Sequence, residues 1–228
     1  SASRALGRDL KINGEFELSL SLTPSLSASD VSLANASWGT EPSMVVAGRV
    51  GVSVKLASLW SGPVRVSDVA MDDVRVLLER GRDGLANWAF DIKPGAGKPS
   101  FVIEQAALRG LELVYLARPD ARPLRFGVRD LDARLDSGRL EVEIRGAGHF
   151  NDALWDVAGR LGLLESLLAA QDVHPALTGH FGSAAFSLSG RIHDPLTLGG
   201  PNVDVSIDGP DVVEALGVLG LKSPLTGP

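Results

Sequence analysis

VRVLLERGRDGLANWAF, residues 74–90, is the stretch on which the reading of this chain turns. Val74, Val76, Leu78 and Arg80 share one side of an extended segment, and Arg75, Leu77 and Glu79 the other, which is the two-residue period of a strand. Asp83-Gly84 follows, a dipeptide that tolerates positive φ and predicts a primed hairpin turn. Beyond the turn stand Asn87, Trp88 and Phe90. Burying the indole of Trp88 is worth about 4–6 kcal/mol, so it is expected to anchor the hairpin on what lies beneath. Asn87 is expected to hold the turn by side-chain to backbone bonds.

Working outward, the same period recurs along most of the 228 residues. From Leu10 to Leu22 the alternation is strict, enough for one strand of about 43 Å. Pro24 ends it, and Ser25–Ala36 offers a second strand whose apolar parity changes from Leu26 and Ala28 to Val31 and Leu33, predicting a bulge near Ser29-Asp30. Met44–Leu56 repeats the first pattern, a single helical turn is expected over Leu56–Trp60, and Val64, Val66 and Val69 lead into the opening stretch. The turn-rich Asp91–Pro99 is a possible division within what is otherwise read as a single domain over 1–228. Strands are expected over 101–103, 111–116, 124–135, 140–150, 155–161, 178–192 and 197–207, with short helices over 162–171 and 211–220.

About ten alternating strands against two short helices leave apolar strand faces that the helices cannot cover. The sheet must therefore close as a barrel, pair as a sandwich, or curl into a trough with an uncovered apolar interior. Aromatic residues are 5% and glycines number 26, so the core is aliphatic and turn-rich. The net charge of −6 with no concentrated basic face argues against a nucleic-acid partner. With no cysteine, thiol catalysis and Cys-ligated zinc are excluded. No apolar run reaches the length of a membrane-spanning helix; Leu161–Ala170 is too short and carries Glu165.

Catalytic patterns are incomplete. Gly95-Ala96-Gly97-Lys98 has Ile92 and Pro99 where a phosphate loop needs glycine and a hydroxyl residue. Gly146-Ala147-Gly148 lacks its third glycine because Asn151 stands there, and no nucleophile elbow occurs. His149, His174, His180 and His193 have no metal-ligand spacing and read as surface or turn residues. Asp130, Asp132 and Asp136 read as a solvated strand face, and Trp38, Trp60, Trp88 and Trp155 as packing anchors. No enzyme, metal or cofactor is called for.

Leu78-Glu79-Arg80 followed by Gly84, Asn87 and Trp88 resembles the signature of the bacterial AsmA family of envelope proteins. Gly7-Arg8-Asp9-Leu10, the strand from Pro24 to Asn35, and the closing run Gly190–Leu196 follow in the family's order, so the resemblance extends over nearly the whole chain. It implies a mainly β fold, a long twisted antiparallel sheet curled into an apolar groove, similar to bridge-like lipid transfer proteins. It further implies a periplasmic domain tied to the inner membrane by an upstream anchor, with further β structure downstream, non-enzymatic phospholipid transport and support of outer-membrane biogenesis. Phe16, Leu18, Leu20, Val50, Val52 and Val54 are then the candidates to meet acyl chains, with Arg8, Lys11 and Arg49 at the rim for a headgroup phosphate. The other reading is a structural or interaction module that takes an envelope protein partner by strand addition at an open sheet edge.

Overall fold

The computed structural model describes residues 8–60, 64–89, 101–118, 122–169, 171–194 and 199–209. Thirteen strands form one sheet: β1 (Leu10–Ile12), β2 (Phe16–Ser19), β3 (Ser25–Ala34), β4 (Ser43–Val54), β5 (Val64–Glu79), β6 (Phe101–Ile103), β7 (Gln105–Leu116), β8 (Leu124–Asp136), β9 (Glu141–Phe150), β10 (Ala153–Leu163), β11 (Ala176–Phe181), β12 (Ala184–Asp194) and β13 (Gly199–Asp208). Their order is β1-β3-β4-β5-β7-β8-β9-β10-β11-β12-β13, with β2 beside β3 and β6 beside β5. Among the described residues β1 and β13 end that path, so the sheet is open and does not close as a barrel.

The backbone divides into two compact units, one of residues Ser1–Asp132 with His149–Asn151 and one of Ala133–Gly148 with Asp152–Pro228. The stretch 91–99, read as a possible division, lies outside the described residues; β5 and β7 on either side of it both belong to the first unit.

Within the first unit the long strand expected over 10–22 is two short ones. Asn13 and Gly14 donate their N–H groups to Asp30 O and Ser29 O, and the Ser29 hydroxyl accepts from Glu15 N–H at 2.8 Å. A Cβ on Gly14 would lie 2.4 Å from that hydroxyl, so only glycine lets the strands meet there. The register accordingly steps by one residue, from Ile12 opposite Val31 to Phe16 opposite Ala28. This is the irregularity read from parity at Ser29-Asp30, and Asp30 has a left-handed φ of 49°.

β5 and β7 run parallel, as do β5 and β6, which corrects the expectation of a wholly antiparallel sheet. A parallel neighbour needs a long crossover, and residues 80–104 supply it. The helical turn expected at Leu56 is a 3-10 turn over Leu56–Leu59. In the second unit a single strand expected over 178–192 is instead the hairpin β11–β12, reversed at Gly182 with φ 59°. The helix expected over 162–171 is the shorter α1, Leu164–Ala169, and the one expected over 211–220 lies outside the described residues.

A single layer of strands buries little. Among the described residues seven apolar side chains are buried, Met44, Ala47, Val74, Leu77, Val128, Val173 and Ala184, while seventeen large apolar ones are exposed. That ratio is the reverse of a two-layer domain, in which a second element covers each apolar sheet face.

Candidate functional site

The deciding stretch folds around an amide. Asn87 is 0% exposed: its Oδ1 accepts from Glu79 N–H at 3.0 Å, and its Nδ2 donates to Leu77 O at 2.8 Å and to Asn35 Oδ1 at 2.9 Å. Glu79, also buried, receives Asn35 Nδ2 at 2.7 Å and both the N–H and the hydroxyl of Thr40. All these donors are neutral, so the carboxylate is held without an ion pair. Trp88 is only half-buried, under the Arg80 guanidinium at 5.2 Å and 5.9 Å from the Tyr115 ring. The anchor is therefore Asn87 rather than the indole. The reversal is also not the primed turn expected: Gly84 N–H donates to Gly81 O, positive φ occurs at Gly84 and not at Asp83, and one bridge, Arg80 to Ala86, joins the two sides. Gly84, Asn87 and Trp88 thus serve the end of the sheet.

Register places the apolar candidates. Phe16, Ala28, Val50, Met71 and Leu108 form one row across β2, β3, β4, β5 and β7, and Leu18, Leu26, Val52, Val69 and Ala106 form the next. Directly paired residues point to the same side, and rows two residues apart share it. Four of the six candidates, Phe16, Leu18, Val50 and Val52, thereby meet on one apolar face. Leu20 lies past the end of β2, and Val54 pairs with Val66 beyond a register shift. Four strand spacings of ~4.8 Å make the band about 19 Å wide. Among the described residues its β2 edge is open to solvent, with Phe16 61% and Leu18 60% exposed, while Val50, Val52 and Val69 are half-buried.

Leu26, Ala28, Val69, Met71, Ala106 and Leu108 complete this face and were not among the candidates. Their own alternation signals a strand face, but the parallel placement of β7 beside β5 has no local signature.

The opposite face is polar. Its rows are Glu17, Ser27, Gly51, Ala70 and Ala107, then Ser19, Ser25, Ser53 and Asp68, then Ser29, Arg49, Asp72 and Arg109. A concavity of about 320 Å³ lies on this side, lined by Glu17, Ser27, Arg49, Asp68 and Asp72 among others. Its hydroxyls and charges suit water and not a hydrocarbon tail. Arg49 belongs here, 3.7 Å from Glu17, which corrects its placement at an apolar rim. Lys11 is exposed on β1, and Arg8 Nη1 reaches Met44 Sδ at 3.7 Å. Arg109 donates to Asp132 at 2.7 Å, and that bond raises the guanidinium pKa above its usual value.

Other titratable groups form ion pairs. His149, His180 and His193 sit beside Glu112, Asp156 and Asp172 respectively. Asp172 bridges His193 and Arg191, whose bonds, His193 first, hold its carboxyl below the usual range. Among the described residues no group of three or more His, Asp or Glu is arranged to hold a metal ion, and no helix is long and apolar enough to cross a membrane. The second unit repeats the two-faced pattern: Phe186 pairs with Ile207 and Leu188 with Leu177 and Val205, while Ser187 lies between Thr178 and Ser206.

No curated protein and no solved structure matches the chain. The AsmA family model matches residues 1–107, which span β1 to the start of β7 and include both the Asn87 staple and nearly all of the apolar band. The run Gly190–Leu196 lies outside that match. Over residues 1–107 the chain is similar to the AsmA family.

Proposed function

We propose that this chain is a non-enzymatic lipid-binding domain of the bacterial envelope, which carries phospholipid by its acyl chains and so supports outer-membrane biogenesis. The observation that carries the reading is the uncovered apolar band of Phe16, Leu18, Leu26, Val50, Val52, Val69 and Met71 on a one-layer sheet whose other face is polar. The likeness of residues 1–107 to the AsmA family supports it. At ~25 cal/mol per Å², covering such a band with hydrocarbon offsets the cost of taking a tail from a bilayer. A half-bilayer tail of ~15 Å fits within the band's width. The protein works in the periplasm, held at the inner membrane.

Native mass spectrometry of the purified protein, with organic extraction, tests this. A discrete added mass of phospholipid is expected, lost in Leu18→Asp and Val52→Asp variants that keep their β-sheet circular dichroism. A bare protein mass, with no lipid taken up from vesicles, refutes the reading and favours strand addition at an open sheet edge.

A further inference from the structure

Among the described residues, the most exposed large apolar side chains of the first unit lie at one end of it. Leu20 and Leu22 are 81% and 89% exposed, and Trp60 is 79% exposed. The backbone brings them together. Leu56 N–H donates to Leu22 O at 3.4 Å and Val54 N–H to Pro24 O at 3.0 Å, so the segment after β2 lies against the start of the 3-10 turn whose last residue is followed by Trp60. Beside them Lys55 and Arg65 share Glu104 at 2.6 Å each, with about half of each cationic side chain exposed.

We propose that this end, through Leu20, Leu22 and Trp60, docks directly on the surface of a lipid bilayer. Leu20 and Leu22 belong to no strand and project from the end of the sheet, so they form a tip and not a flat patch. A stable protein interface needs on the order of 800 Å² from each partner, more than three side chains supply. Shallow insertion of a few apolar anchors is enough for a bilayer, where tryptophan favours the headgroup boundary and lysine and arginine extend their charges to the lipid phosphates. The apolar band begins at Leu18, two residues from Leu20, so a docked tip sets that band against the membrane from which a tail leaves. The docking rests on the lipid-carrying reading for its purpose, and its test is separate.

Flotation of the 228-residue chain with vesicles of phosphatidylethanolamine and phosphatidylglycerol is the experiment. The protein is expected to float, with tryptophan fluorescence quenched by brominated acyl chains. Partitioning is expected to fall about tenfold or more in Trp60→Ser and in the double variant Leu20→Ser/Leu22→Ser. Leu154→Ser, 71% exposed but in the second unit, is expected to float as the parent does. Parent protein that stays with the soluble fraction, or tip variants that float unchanged, overturns the docking. So does a parent that self-associates through the tip and never binds vesicles. Flotation without any co-purifying lipid defeats the apolar-band reading and leaves the docking standing; bound lipid without flotation does the opposite.

Discussion

Asp73 and Gly110 stand opposite each other between the Asp72–Arg109 and Arg75–Glu112 pairs of the parallel strands, and both have left-handed φ, 52° and 65°. Across from Asp73 on the other side is Gly48, and across from Gly48 is Asp30, at 49°. Three of these four neighbouring strands, β3, β5 and β7, therefore leave extended geometry at one level. A left-handed residue interrupts the two-residue repeat, and the apolar positions change parity there: Leu26 and Ala28 give way to Val31 and Leu33, Val52 and Val50 to Ala47 and Val45, Val69 and Met71 to Val74 and Val76.

Gly110→Ala is expected to cost about 1–2 kcal/mol, the penalty of a Cβ in the left-handed region. The added carbon would also lie 3.1 Å from Asp73 Oδ1. Asp73→Gly, which suits the same conformation, is expected to stay near the parent's stability. Urea unfolding midpoints of the two variants compare them, and equal losses would remove the line of left-handed residues as a determinant of the fold.

Replacing the buried amide strands two backbone groups. Asn87→Ala leaves Glu79 N–H and Leu77 O without their partner, at an expected cost of about 2–4 kcal/mol. Asn87→Asp is expected to be at least as damaging, because it removes both donated bonds and sets a second carboxylate near Glu79. The same unfolding experiment reads both, and a cost below that of an ordinary surface substitution would show the staple to be incidental.

The Lys55 bond is the largest influence on the Glu104 carboxylate and lowers its pKa from the ordinary value; burial opposes it, and the Arg65 bond lowers it further. A depressed folded-state pKa contributes stability above the unfolded value of 4.5, and that contribution disappears as pH falls through the folded value. Both cations are well solvated, so the effect is below ~1 kcal/mol. Glu104→Gln is expected to flatten the loss of stability between about pH 5 and pH 3. An unchanged pH profile would mean that the triad is too screened to matter.

Adjacent residues of β3 separate the two faces. Leu26→Asp is expected to abolish lipid retention, whereas Ser27→Asp, which places the same charge in the polar concavity, is expected to leave it intact. Native mass spectra of the two variants decide the matter, and retention in Leu26→Asp with loss in Ser27→Asp would move the ligand to the polar side.

Much of this was legible along the chain. Period-two alternation marked the strands, the parity change marked Asp30, and Gly84, Asn87 and Trp88 carried the family signature, because strand geometry, turn chemistry and a motif are all local. Phe16 and Leu18 were likewise readable as one face of a strand. What only the tertiary structure decided is what lies beside what. Gly14 against Ser29 broke one expected strand into two. Val69 and Met71 gained Ala106 and Leu108 as parallel neighbours across a crossover, and Asn35 and Thr40 came from far along the chain to satisfy Glu79 and Asn87. Arg49, apparently at a rim, was turned to the polar side. Alternation tells each strand that it has two faces, but register between strands distant in sequence is set by pairing energies, and that pairing assembles separate apolar stripes into one surface.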